Sequence, residues 1–151
     1  MKRRVRIIIV IVLMLAVIGF IWGNSIFSKA SSRQESLSVM NFLRPFLEPL
    51  VGKERYTLVF VRKLAHCTEF GALGVLFAVL AYAVEAKGRQ AVLNCLFAAL
   101  GVAVVDEAIQ ILSRRGSQVQ DVLLDFAAAA LGIAIVRVIG YFIRKIRANK
   151  H

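Results

Sequence analysis

The chain has 151 residues, of which 59% are apolar and 19% charged, with a formal net charge of +11. Soluble domains hold roughly 45–50% apolar residues with glycine counted, so a mean hydropathy of +0.72 excludes a soluble enzyme, a disulfide miniprotein and a disordered chain together. The cation surplus would suit nucleic acid in a soluble protein, but here Lys and Arg flank apolar runs and form no patch interleaved with aromatics. They read as topology determinants near anionic lipid, and nucleic acid is not an expected partner. One membrane domain over residues 1–151 is the expectation.

In chain order, the first apolar run covers residues 7–23 and follows Lys2, Arg3, Arg4 and Arg6. It resembles a secretory signal, with Ser28-Lys29-Ala30 in cleavage-like spacing, but the run is at the long end for a signal core. A retained first span is expected. From Asn24 to Thr57 comes a long loop whose first half is rich in serine (Ser25, Ser28, Ser31, Ser32, Ser36, Ser38). Leu37, Met40, Leu43, Leu47 and Leu50 then recur at three- and four-residue spacing, an amphipathic pattern. Pro45 and Pro49 limit any single helix there, so a short helix lying in the outer interface is expected rather than a further span.

Three more spans are predicted over residues 58–84, 91–112 and 119–143. Each can cross a hydrocarbon core of about 30 Å at about 1.5 Å per residue. Period-2 alternation is absent, so no barrel is supported. Cys67 and Cys95 lie inside apolar runs without CxxC spacing and read as buried free thiols. The fold class is therefore an all-α membrane protein with four transmembrane helices.

Short-loop charge sets the orientation. The N-terminal cations, Lys87 and Arg89 after the second span, and Arg144, Lys145, Arg147 and Lys150 in the tail fall on one side of an even-numbered bundle. The positive-inside rule makes that side the cytoplasm, so both termini are expected inside a bacterial cell membrane and the long loop outside.

Spans two to four share an asymmetry. Their cytoplasmic halves, 70–84, 91–105 and 126–136, are free of charge, while the outer halves carry the carboxylates and His66. The third span runs opposite to its neighbours, so its late acids and their early ones meet at one depth, about 9–17 Å from the outer ends at 1.5 Å per residue. Arg62, His66 and Glu69 form an i, i+4, i+7 stripe; Asp106 with Gln110, and Asp121 with Asp125, are i, i+4 pairs. A charge at a helix centre costs about 2.5–3.5 kcal/mol even on a lenient insertion scale. Three helices accepting that cost at one depth predicts an outward-facing polar pocket. His66, Glu69, Asp106 and Asp125 are the candidate acid–base groups; Arg62, Lys63, Glu107, Gln110, Arg115 and Asp121 are candidate ligand contacts. The bland alternative is a structural ion-pair network, with Arg62 on Asp125 or His66 on Asp106. Lys63 and Arg137 would then merely snorkel.

These residues carry a resemblance. The segment Arg62-Lys63-Leu64-Ala65-His66-Cys67-Thr68-Glu69-Phe70 resembles the K-x-x-H-x-x-x-aromatic signature of the VanZ-like membrane family. Asp106-Glu107-Ala108-Ile109-Gln110, followed by Arg115, Gly116, Asp121 and Asp125, resembles its second block. Asn24-Ser25 resembles the polar stretch behind its first helix. The chain departs from the pattern at Ser113, near a common proline, and at Ala128, near a common glycine. The resemblance implies a bacterial cell-membrane protein, one branch being associated with reduced susceptibility to glycopeptide antibiotics such as teicoplanin; it implies no settled reaction.

The favoured reading is a protein that binds or handles an anionic envelope lipid, such as a polyprenyl-phosphate carrier or a lipid-linked cell-wall precursor. Arg62, Lys63 and Arg115 would meet phosphate and the charge-free inner halves the acyl chain. Next comes an enzyme on such a headgroup, with His66 as acid or base oriented by Glu69 or Asp106 and Arg115 stabilising phosphate charge. No nucleophile motif, Gly-rich phosphate loop or HExxH supports it. A divalent metal on His66, Glu69, Asp106 and Asp125 is not favoured; such a set suits Mg or Mn better than structural zinc. A structural or accessory protein without ligand is the remaining alternative, and a transporter ranks last because the inner halves offer no polar path.

Overall fold

The computed structural model describes residues 2–26, 29–113 and 118–149, the side chains at 29–33 and 35 excepted. Among the described residues the chain forms five α-helices and no strands. Helix α1 is Lys2–Ile26, α2 Lys29–Val51, α3 Leu58–Ala83, α4 Gly88–Leu112 and α5 Val119–Ala148. Four of them, α1, α3, α4 and α5, are long and apolar enough to cross a membrane. They coincide with the predicted spans; α1, α4 and α5 run past them at the basic ends, since Lys and Arg extend a helix readily, while α3 stops one residue short at Ala83.

Helix α2 corrects an expectation: the segment is one helix of 23 residues that passes through Pro45 and Pro49. Each proline withholds a backbone N–H and frees a carbonyl one turn earlier. Both prolines are exposed and line a shallow groove with Asn41, Arg44 and Glu48, so the freed carbonyls of Asn41 and Pro45 lie on an open face. The amphipathic stripe is also narrower than its sequence pattern. Met40, Leu43 and Leu47 are half-buried, whereas Leu37 and Leu50 are exposed. The Tyr56 hydroxyl donates to the Met40 carbonyl at 2.6 Å and pins α2 to the start of α3.

Helix α3 is the hub, packing on α5, α1, α4 and α2. Thr57 caps its first turn by accepting from the Phe60 N–H at 3.2 Å, which sets the phase of the stripe that follows. The most extensive interface is α3 with α5, made close by small residues. A methyl group on Gly74 would run into the backbone of Ala129, and one on Gly132 into the Gly71 carbonyl. Where surrounding solvent is as apolar as the side chains, such backbone approach is what holds helices together. Phe70, Leu73, Ala99, Val102, Ala103, Ala129 and Ile21 form the core, and a smaller cluster joins Ala78, Cys95 and Ile133. Cys95 is buried, but Cys67 is only half-buried, contrary to the sequence reading. The outward faces carry large apolar side chains such as Ile8, Val12, Phe20, Phe97 and Leu131.

The ends of the bundle differ in chemistry. At one end Arg3 pairs with Glu85 at 3.0 Å and donates to the Ala83 carbonyl at 3.1 Å, while Arg137 and Arg144 of α5 lie over the Tyr82 ring. The three basic segments therefore share one end, and the ionisable set lies toward the other. Replacing Gly74 or Gly132 by alanine is expected to lower stability by about 1–3 kcal/mol, the usual cost of overpacking. Gly101→Ala, which points into open space, should leave it unchanged or slightly higher, as read from unfolding midpoints in detergent.

Candidate functional site

Asp106 on α4 is completely buried, and both its oxygens are occupied. The Ser25 hydroxyl at the end of α1 donates to Oδ1 at 2.6 Å, and the Gln110 amide one turn along α4 donates to Oδ2 at 2.8 Å. Ser25 and Gln110 are themselves buried. The Ser113 hydroxyl lies 2.8 Å from the Ser25 carbonyl and 2.9 Å from that of Ile109, closing the end of α4 onto α1. A carboxylate in a membrane span thus has neutral donors on both oxygens, and His66 completes a tight group with Asp106 and Asp125.

Asp125 on α5 is 1% exposed, and its Oδ2 lies 3.4 Å from His66 Nδ1. That is ion-pair reach without hydrogen-bond alignment, and Asp125 Oδ1 has no hydrogen-bond partner. The His66 ring stacks on Phe70, with planes 8° apart and centroids 6.4 Å apart. His66, Asp106 and Asp125 each offer one atom in a group whose members lie within 4.8 Å of one another. The predicted convergence of α3, α4 and α5 is therefore present in the geometry.

The partners differ from those the sequence suggested. Lys63 pairs with Asp121 at 3.6 Å and His66 with Asp125; neither Arg62–Asp125 nor His66–Asp106 is an ion pair here. Arg62 makes no ion pair or hydrogen bond among the described residues, although it lines two cavities. One, of about 190 Å³, lies between α3 and α5 with His66, Gln110, Asp121 and Asp125. The other, of about 390 Å³, lies between α1, α2 and α3 with Asn24, Ser25, Ser36 and Glu69. Glu69 shares the second cavity rather than the first and is hydrogen-bonded by Asn24. Glu107, a candidate ligand contact by sequence, is buried, and its Oε1 accepts from the Gln118 N–H at 2.6 Å, tying the start of α5 to α4. Arg115 lies outside the described residues.

Two features escaped the sequence reading. Ser25 belongs to the centre of the site, and the signal was its position with Asn24 as the polar end of an otherwise apolar span. The second is an apolar groove of about 400 Å³ on the α3–α5 face, lined by Cys67, Gly71, Val75, Leu124 and Leu131. Leu124 lines both this groove and the cavity holding Arg62, so polar and apolar sites adjoin.

Removing the Ser25 hydroxyl leaves a buried carboxylate oxygen short of a donor. Ser25→Ala is expected to lower stability by about 1–3 kcal/mol, with much of the loss recovered by Ser25→Thr. In a double-mutant cycle with Asp106→Asn, unfolding in detergent should show a coupling of about 0.5 kcal/mol or more.

Comparison with curated proteins and with solved structures finds no match. The sequence model of one family does match, over residues 7–140, which takes in α3 and α4 whole, most of α1 and α5, and every residue of the site. The chain belongs to the VanZ/LLP1 family.

Proposed function

We propose that the chain is a bacterial cell-membrane protein that binds or processes an anionic envelope lipid, or a lipid-linked cell-wall precursor, at the polar end of its bundle. The observation that carries this reading is Arg62: a guanidinium within a membrane span, facing two cavities, with no carboxylate on it. Its neighbours Lys63 and His66 already have acidic partners. A guanidinium about one turn inside the outer end of α3, with no ion pair among the described residues, calls for an anion, and a phosphate oxygen pair fits its fork. The cavities suit a headgroup rather than a whole lipid. The apolar groove that meets the first cavity at Leu124 supplies the place for an acyl chain. The basic end at Arg3, Arg137 and Arg144 supports a cytoplasmic placement of both termini, which turns the pocket and α2 outward.

A second reading is supported by the His66–Asp125 contact inside the same cavity. An imidazole held by a buried carboxylate can exchange protons with a bound headgroup. Phosphate release or headgroup transfer by the purified protein, lost in His66→Ala, is the result that reading requires. The link to glycopeptide susceptibility comes from the family resemblance and follows if the handled lipid is a cell-wall precursor.

Mass spectrometry of lipids retained by the detergent-purified protein tests the main reading. The expected outcome is an enriched anionic lipid whose occupancy falls at least about tenfold in Arg62→Ala, equivalent to about 1.4 kcal/mol. Leu131→Trp, which fills the groove, should weaken it while leaving the polar cavity intact. Unchanged retention in Arg62→Ala contradicts the proposal.

A further inference from the structure

We infer that His66, Asp106 and Asp125 form a binding site for one divalent cation of the Mn2+ class. Three helices each bring one ligand atom into a group spanning no more than 4.8 Å. A Mn2+-sized ion with bonds of about 2.1 Å draws adjacent ligand atoms to about 3 Å, and His66 Nδ1 and Asp125 Oδ2 already stand 3.4 Å apart.

The independent pointer is Asp125. Its side chain is almost fully buried and faces the small cavity, yet Oδ1 has no hydrogen-bond partner. A proton there would need an acceptor that is missing, whereas a coordinate bond needs only the lone pair. Charge points the same way. Two buried carboxylates beside a neutral imidazole carry two negative charges, which an apolar surround disfavours and which Arg62, facing the same cavity, offsets only in part. Two carboxylates, a neutral imidazole and a dication sum to zero.

Ser25 and Gln110 complete the case, because they hold both oxygens of Asp106 in place while each oxygen keeps a lone pair. Outer partners of this kind orient a metal ligand. Two carboxylates against one imidazole leave several positions for water, which suits an oxygen-preferring ion better than tetrahedral zinc. Glu69, placed by spacing alone with this set, faces the second cavity and is not a ligand. The site stands independently of lipid binding. If the lipid reading also holds, the ion and Arg62 face one cavity and would meet the same headgroup; that extension rests on that reading.

The test is Mn2+ added to the full chain in detergent, with free ion followed by its six-line electron paramagnetic resonance signal. Wild type is expected to take up one ion per chain, and Asp125→Asn and His66→Gln to bind at least about tenfold more weakly. The distant Glu48→Gln should bind as wild type does, and Arg62→Gln, which removes a cation facing the same cavity, should bind no more weakly. Should a ligand variant fail to fold, wild type alone still decides: Mn2+ near a hundredfold above Kd should raise its unfolding midpoint by about 5–10 °C. No uptake by wild type at millimolar Mn2+, or equal weakening by Glu48→Gln, overturns the site. Loss in Arg62→Gln with retention in Asp125→Asn overturns it too, since the ion would then sit on a retained lipid.

Discussion

The arrangement depends on a carboxylate kept out of water inside a membrane bundle. Asp106 is fully buried, and the structure answers its demand for donors by bringing Ser25 from α1 and Gln110 from α4. That demand fixes where α1 ends against α4, and Ser113 repeats the constraint one turn further on. With α4 anchored, Glu107 accepts from the N–H of Gln118, the residue that caps α5, and sets where that helix starts. Asp125, one and a half turns into α5, then arrives beside His66. Without the donors, burial of Asp106 would cost several kcal/mol, of the order expected for an unpaired buried polar group. With them, it specifies one packing of α1, α4 and α5.

The opposite half of the bundle uses a different principle. Its helices are held by backbone approach at Gly71, Gly74 and Gly132 and by apolar packing around Phe70 and Leu73. Lipid offers no hydrophobic drive between such helices, so close contact must supply the attraction. The division has a functional consequence. One end is a polar pocket lined by Arg62, which has no ion pair among the described residues, while the flank beside it is an apolar groove, and the two meet at Leu124. On the reading proposed above, an amphiphile with an anionic head would engage both halves.

Much of this was legible in the residues. The four spans follow from hydropathy alone, and the shared depth of His66, Asp106 and Asp125 follows from counting 1.5 Å per residue along antiparallel helices. Pairing was not legible. Depth and phase leave Arg62 and Lys63 equally able to reach an acid, and only the three-dimensional packing of α3 on α5 shows that Lys63 takes Asp121 while Arg62 has no ion pair among the described residues. Glu69 shares a helical stripe with His66, but that stripe divides two cavities, which periodicity cannot express. Helix α2 was underestimated because two prolines count against a buried helix; on an open face the freed carbonyls are not stranded, and the penalty shrinks. Ser25 was missed because serine at a helix end reads as a turn signal unless its partner is known.

The central claim is that the polar pocket opens to the outside of the cell while the Arg3–Glu85 end faces the cytoplasm. Single cysteines in a background with Cys67 and Cys95 replaced test it directly. Gln118→Cys lies on the exposed rim of the pocket and Lys87→Cys in the exposed turn at the basic end. A membrane-impermeant maleimide applied to intact cells should label Gln118→Cys readily and Lys87→Cys only after lysis. The reverse pattern would contradict the account, because it would place the pocket and its unpaired guanidinium on the cytoplasmic face.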